Sequence, residues 1–376
     1  PPATPGGVQI VTPPPAPSAP SAPPAPLYAP LLQPLPGAPH ASPQQLPARK
    51  IRKWPAIMLF CLFAALIPET IVTSSTNPLK MVLQPISLPF IMVFYGTADL
   101  MIREAMIRRR LGLASLLLFG IAFGFINEGV AAGTWYTVIP TGYVRYGGID
   151  WLWALGVTTF HIVISVITPI IFIDIVFPRF AGQPLLRKRG IVICAILFFG
   201  FSLLVAFTKL YRADRLSVLA VAVALWLVAL FLPPAHSFTP VALPLPGLWR
   251  LRILGFMAML TFFFNLYITP AILAAVLKHA PHGLLATQLL GGAILLGITC
   301  YEIALGYSWS RRAGWSARHS LALITGGLAF TTLILLIFGF TVWEPIASLP
   351  FFALLVWLAW RMRHQAQSYA LASAAP

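Results

Sequence analysis

The chain has 376 residues, of which 59% are hydrophobic and only 9% charged. A soluble domain carries about 25% charged residues, so a soluble globular fold is excluded and the chain falls in the membrane class. The net charge of +16 would suit a nucleic-acid binder, but the placement of the basic residues gives it another origin.

Residues 1–48 hold 17 prolines and no acid, in runs such as TPPPAPSAPSAPPAP. This composition predicts a disordered cytoplasmic tail that leans to polyproline II. It reads as a solvated spacer, with a proline-binding protein partner as the functional alternative. A transmembrane domain is expected over 49–364, followed by a short cytoplasmic tail at 365–376. A bilayer span needs about 20 mostly apolar residues. Ten stretches meet that description: 54–73, 81–102, 111–133, 151–177, 190–208, 216–232, 251–277, 283–307, 320–340 and 345–360. The expected fold is therefore all-α, a polytopic integral membrane helix bundle. Pro85 and Pro89 predict a kink in the second span and Pro169 one in the fourth.

With the N-terminus inside, the cytoplasmic segments hold 19 of the 25 basic residues. The clusters are Arg49–Lys53, Arg103–Arg110, Arg179–Arg189, Arg250–Arg252, Arg311–Arg318 and Arg361–Arg363. The positive-inside rule then predicts an N-in, C-in topology in a cell membrane. The net charge becomes topology, with anionic lipid headgroups as partners of those clusters and no nucleic acid. Cys61, Cys194 and Cys300 sit in apolar runs without metal spacing, so they read as reduced packing residues. No metal and no cofactor is expected. No P-loop, GxGxxG, HExxH or GxSxG is present either.

The third span carries FGFINEG. Gly120, Gly124 and Glu128 are four apart and share a helix face. A small-residue stripe admits a close neighbour, so Glu128 is expected to face protein rather than lipid. An intramembrane acid is a functional candidate by default. Glu69, Asn127, His161, Asn265 and Gln288 reach a similar depth and complete a candidate polar cavity around Glu128, opening outward. Each also has a structural reading: helix end, core histidine or interhelical hydrogen bond. His161 shares a stripe with Thr158, Ser165 and Thr168. Gln84 and the turn bearing His279 and His282 lie near the same leaflet. On the inner side, Asp99–Arg103 and Glu104–Arg108 have the spacing of helix ion pairs. Asp174 is about 140° from His161 around the fourth span and is not expected to join its site. Gln288, Gly292, Thr299 and Glu302 form one row on the eighth span, expected to face the bundle.

Three stretches, MIREAMIRRRLG, FGFINEG and GWSARHSLAL, resemble recurrent segments of a group of uncharacterised bacterial polytopic membrane proteins. The resemblance covers residues 60–325 loosely. It implies a helical membrane fold in a bacterial inner membrane, and it implies no activity. The group's middle motif usually carries two adjacent acids; here the first position is Asn127. A fainter similarity is to CAAX-type intramembrane glutamate proteases, whose paired acids activate a water. This chain departs from them at Asn127, at Ala132 where arginine is needed, and at Ser165 in place of asparagine.

Three functions follow as expectations. The first is a transporter of a small polar solute or ion with Glu128 in its cavity. The second is a membrane-embedded hydrolase using Glu128 and His161. The third is a non-catalytic scaffold whose polar groups only fix helix pairing.

Overall fold

The computed structural model describes residues 53–71, 86–137, 145–235, 241–268, 281–338 and 353–361, with single positions between them. Both tails, Gln84, Pro85 and His279 lie outside these residues. The regular secondary structure of the described residues is helical, with two isolated bridges and no strand. The helices are α1 (Trp54–Leu66), α2 (Ser87–Arg109), α3 (Leu113–Gly124), α4 (Trp151–Phe160), α5 (Thr168–Val176), α6 (Lys188–Thr208), α7 (Arg212–Phe231), α8 (Leu248–Phe263), α9 (Pro281–Ser310) and α10 (Ala317–Phe338). A further helical stretch covers 353–361.

Among the described residues, six helical stretches are long and apolar enough to cross a membrane. They differ in depth. The stretches Leu113–Ala132 and Trp151–Val176 are 67% and 72% buried, whereas Leu248–Leu266 and Gln288–Ser310 are 11% and 6% buried. The bundle centre therefore lies around α3 and α4–α5, with α8 and α9 outside it. Helix α2 belongs to the centre although its charges hide it from a hydropathy count. Its residues from Phe94 to Glu104 are all buried. One core unites α1, α2, α3, α6 and α7 around Phe60, Phe94, Phe119, Phe123 and Phe198.

Among the described residues, four π-helical turns interrupt the regular helices: Ile67–Ile71 after α1, Phe125–Ala132 after α3, His161–Ile167 between α4 and α5, and Phe264–Ile268 after α8. Proline explains two of them. Pro68 and Pro169 cannot donate an N–H, and their rings press on the carbonyl four residues back. A widened turn relieves that contact. Past the wide turn, the Thr168 N–H bonds the Val163 carbonyl, five residues back, and the Thr168 hydroxyl also donates to that oxygen at 2.8 Å. Pro89 does not kink its span. It lies in the first turn of α2, where its missing N–H has no intrahelical partner to lose.

The glycine stripe of α3 packs as its spacing predicts. A Cβ on Gly120 would stand 3.0 Å from the Ile162 Cα, and one on Gly124 3.0 Å from the Thr158 Cα. The pairing of 120 with 162 and 124 with 158 makes the two helices antiparallel. Gly124→Leu is expected to force them apart and to cost about 1–3 kcal/mol. A fall in the thermal unfolding midpoint in detergent measures it; an unchanged midpoint would mean that this contact yields easily.

The charged motif MIREAMIRRR clamps the loop after α5. Arg103 donates to the carbonyls of Phe180 (2.7 Å) and Gln183 (3.0 Å) and to Asp174 Oδ1 (2.6 Å). Glu104 Oε1 accepts the backbone N–H groups of Leu185 and Leu186. Arg108 pairs with Glu104 at 2.7 Å and donates to the Leu186 carbonyl. The spacing prediction thus holds for Glu104–Arg108 and fails for Asp99–Arg103. Arg103 turns across the bundle to Asp174, because that site also offers two carbonyls to the guanidinium fork. Lys53 joins the same loop through the Pro184 carbonyl at 2.6 Å.

GWSARHSLAL is a helix start. The Ser316 N–H donates to His319 Nδ1 at 3.2 Å, and its hydroxyl lies 2.9 Å from the same nitrogen, three residues on at the head of α10. At the opposite end of the bundle, Asp150 caps α4 by accepting the Trp153 N–H at 3.0 Å. Burial holds the Asp150 carboxyl above the usual range. Its folded pKa exceeds the unfolded one, so the protonated form favours the fold. That contribution is present below the unfolded pKa and is lost as pH rises through the folded value. Asp150→Ala is expected to cost about 1 kcal/mol through the lost cap. Asp150→Asn should keep the cap and flatten the pH dependence. Unfolding midpoints at pH 4 to 7, a range chosen around the ordinary carboxylate pKa of about 4, separate the two effects.

Candidate functional site

Five of the six candidate residues lie on π turns: Glu69, Asn127, Glu128, His161 and Asn265. Wide turns add a residue to a helical face and recur at functional sites. Here they let adjacent residues such as Asn127 and Glu128 both take part in one network.

The site begins with the antiparallel pair set by Gly120 and Gly124. Side chains on a helix tilt toward its N-terminus. On antiparallel neighbours these tilts converge, so Glu128 leans back along α3 while His161 leans back along α4. Glu128 Oε1 meets His161 Nε2 at 2.8 Å. The Thr134 hydroxyl donates to Glu128 Oε2. On the other side of the ring, Nδ1 lies 2.7 Å from the Ser165 hydroxyl.

The network continues to a second acid. Asn127 Nδ2 lies 3.0 Å from His161 Nε2 and donates to Tyr95 Oη at 2.7 Å. Tyr95 Oη donates to Glu69 Oε1 at 2.5 Å. A phenol has one proton, and here it is donated to Glu69 Oε1. The atom that faces Tyr95 Oη must then be the amide nitrogen, which fixes the orientation of Asn127. Two carboxylates, an imidazole, an amide and a phenol thus form one chain from Glu69 to Thr134.

All of this is enclosed. Glu69, Asn127, His161, Tyr95 and Ser165 are buried, and so is Glu128. The Glu128 side chain keeps 11% of its surface against 1% for His161, so water reaches the chain first at the Thr134 end. Aromatic rings wall the imidazole: Phe123 edge-on at 5.6 Å, Phe160 at 5.3 Å and Tyr95 at 6.3 Å. Such walls lower the local dielectric and strengthen each polar contact within.

Arg215 of α7 holds the Thr134 end from outside. Its guanidinium donates to the Val130 carbonyl at the end of the π turn, and Nε donates to the Leu210 carbonyl at 2.7 Å. Gly133 sits beneath this guanidinium with φ +72°. Only glycine combines that backbone angle with the space the arginine occupies.

The remaining two candidates sit apart from this chain of bonds. Asn265 turns back on its own helix and donates to the Thr261 carbonyl at 2.9 Å. Gln288 is half-buried on α9, which packs on α4 and on the Phe264–Ile268 turn. Conversely, sequence reasoning passed over Tyr95 and Thr134. A tyrosine inside a span must satisfy its hydroxyl, and that was the available signal for Tyr95. Thr134 lies beyond the span and carries no such mark. Among the described residues, no three His, Cys, Asp or Glu side chains could hold a metal ion together.

A family model described as an uncharacterised membrane protein family matches residues 58–364. No curated protein and no solved structure matches the chain.

Proposed function

Because the chain belongs to an uncharacterised membrane protein family, we propose its function from the site alone: proton-coupled transport of a small polar solute or ion across a bacterial inner membrane. The observation that carries this reading is the buried Glu128–His161 contact at 2.8 Å with Ser165 behind the ring. The Ser165 hydroxyl can donate to Nδ1 or accept from it. Glu128 can accept the Nε2 proton or donate its own. The site therefore holds one proton more or fewer without moving a side chain. Asn127 bears on the balance: its amide donates toward Nε2 and favours the arrangement in which that nitrogen accepts.

In this reading the N-terminus is inside and the Thr134 end opens to the outer face. The carboxyl of Glu128 takes a proton from the outer side, and the solute enters beside it. The second acid, Glu69, is reached through Tyr95 and supplies a further charged position for a cation or polar group. A membrane hydrolase is the second reading, supported by the carboxylate–imidazole–hydroxyl line from Glu128 through His161 to Ser165.

The test uses purified protein in vesicles containing a pH-sensitive dye. An imposed solute gradient should move protons in the wild type and not in Glu128→Gln. Absence of any solute-driven pH change across a panel of amino acids, sugars, nucleosides and monovalent cations would sink the transport reading. Peptide cleavage lost in the same variant would favour the hydrolase.

A further inference from the structure

We propose that the groove between α6 and α7 binds one phospholipid, with an acyl chain along the groove and the phosphate beside the turn that joins the two helices. The inference is independent of the transport reading. The groove is a cavity of about 320 Å³ lined by Phe199 and Leu203 of α6 and by Leu219, Val223, Trp226 and Leu227 of α7. Phe199 and Leu203 are four residues apart, and the α7 residues recur at helical spacing, so each set shares one helix face. Leu219 and Trp226 form the floor, each 7% exposed, whereas Leu203 and Leu227 are 46% and 48% exposed and form the rims. The groove therefore opens on the flank of the bundle. The stretches Lys188–Thr208 and Ala213–Phe231 are only 28% and 33% buried, so this flank meets lipid.

The lining chooses the occupant. Water is excluded, because all six side chains are apolar and an apolar cavity stays dry. A second helix fits poorly. Helices that pack within a membrane meet through small residues, and none of the six is small. An acyl chain is thin and flexible and surrounds the flank already. Without one, the lining atoms would lack contacts on their open side. Leu219 to Leu227 covers about 12 Å of helix axis, against roughly 15 Å of hydrocarbon in one leaflet. The groove begins about 10 Å from the first residue of α7, below the headgroup layer. Its floor is fixed in advance: the Trp226 ring packs on Phe119 at 5.1 Å and on Phe199 at 5.3 Å. A preformed floor lowers the cost of ordering a ligand, which sets this groove apart from the exposed leucines around it.

The turn supplies the headgroup site. Its sequence, KLYRADR, carries three basic residues and one acid. Lys209 is exposed, and a lysine at the end of a span extends its charge to the interface. Helix α7 starts at Arg212 without a side-chain cap, which leaves first-turn N–H groups for a phosphate. Asp214 lies in that turn and subtracts one charge. Arg215 is committed to the carbonyls of Val130 and Leu210, so the free cation described at the turn is Lys209. The same helix thus carries the groove on one face and, through Arg215, holds the Thr134 end of the bundle.

The test is native mass spectrometry of the full-length chain in mild detergent, titrated with phosphatidylglycerol or with diacylglycerol of the same chains. The wild type should hold one phosphatidylglycerol per chain, and diacylglycerol about tenfold less tightly. Val223→Trp fills the groove and should weaken phosphatidylglycerol at least about tenfold. Val223→Phe, a smaller intrusion, gives the same reading where the tryptophan variant does not fold. Lys209→Gln should weaken phosphatidylglycerol and leave diacylglycerol unchanged. Equal binding by the wild type and a filled variant would overturn the proposal, and so would a wild type that holds no lipid. Equal affinity for the two lipids would remove the phosphate from the turn and overturn the proposal in that form. A dimer that Val223→Trp or Val223→Phe separates would give the groove to a second copy of the chain instead.

Discussion

Asp174→Ala is expected to lower the unfolding free energy by about 3–5 kcal/mol. The partner it abandons, Arg103, is 1% exposed. Without the carboxylate, the guanidinium keeps the carbonyls of Phe180 and Gln183 but loses its counter-charge at 2.6 Å. A lone buried cation is among the most destabilising defects a fold can carry. The intact pair is a different matter. Arg103 Nε and Asp174 Oδ2 both lack partners, so the pair is incompletely satisfied and its net contribution is small. Arg103→Met combined with Asp174→Leu should therefore recover most of the loss, as apolar replacements of buried pairs do. Equilibrium unfolding in mixed micelles measures all three variants. If Asp174→Ala stayed within about 1 kcal/mol of wild type, the pair would have to be solvated, against its burial. Limited proteolysis should also find the 178–187 loop loosened in the single variant, since Arg103 is one of the residues that clamp it.

His161→Leu is expected to be as damaging as the loss of Asp174, and Glu128→Gln/His161→Leu less damaging than the two single changes added together. Removing the imidazole leaves Glu128 with only Thr134 as its donor. It also strips Ser165 and Asn127 of a shared neighbour. Contacting residues in one network couple by about 0.5–3 kcal/mol in a double-mutant cycle. Strong coupling in stability, together with loss of solute-driven proton movement in both singles, is the outcome that the transport reading requires. Coupling in stability with transport unchanged would reduce the site to packing, the scaffold reading. Glu69→Gln gives a graded comparison. It keeps a polar group against Tyr95 but removes the second charge, so transport of a cation should weaken while the Glu128–His161 contact persists.

Much of the molecule was legible from order and composition alone. Hydropathy and length marked out the helical stretches, because in lipid every backbone donor must be satisfied within its own segment. The glycine row of Gly120 and Gly124 foretold a close neighbour, because the space left by a missing side chain is a property of the residue itself. The helix start at Ser316 and the Glu104–Arg108 pair are local for the same reason: their partners lie within one turn.

Other features depended on which helix came to lie beside which. Arg103 preferred a residue 71 positions away to one four positions away, and no periodicity in α2 encodes that choice. The widened turns at Phe125–Ala132 and His161–Ile167 shifted the angular positions that a regular helix assigns, so that both Asn127 and Glu128 reach the ring of His161. Tyr95 became a bridge only when α2 was placed between Glu69 and Asn127. Sequence determined the helices and the residue types lying at similar depth, because those follow from covalent order and transfer into lipid. The tertiary structure decided the partners, because a hydrogen bond forms within about 3 Å and only packing brings distant segments that close.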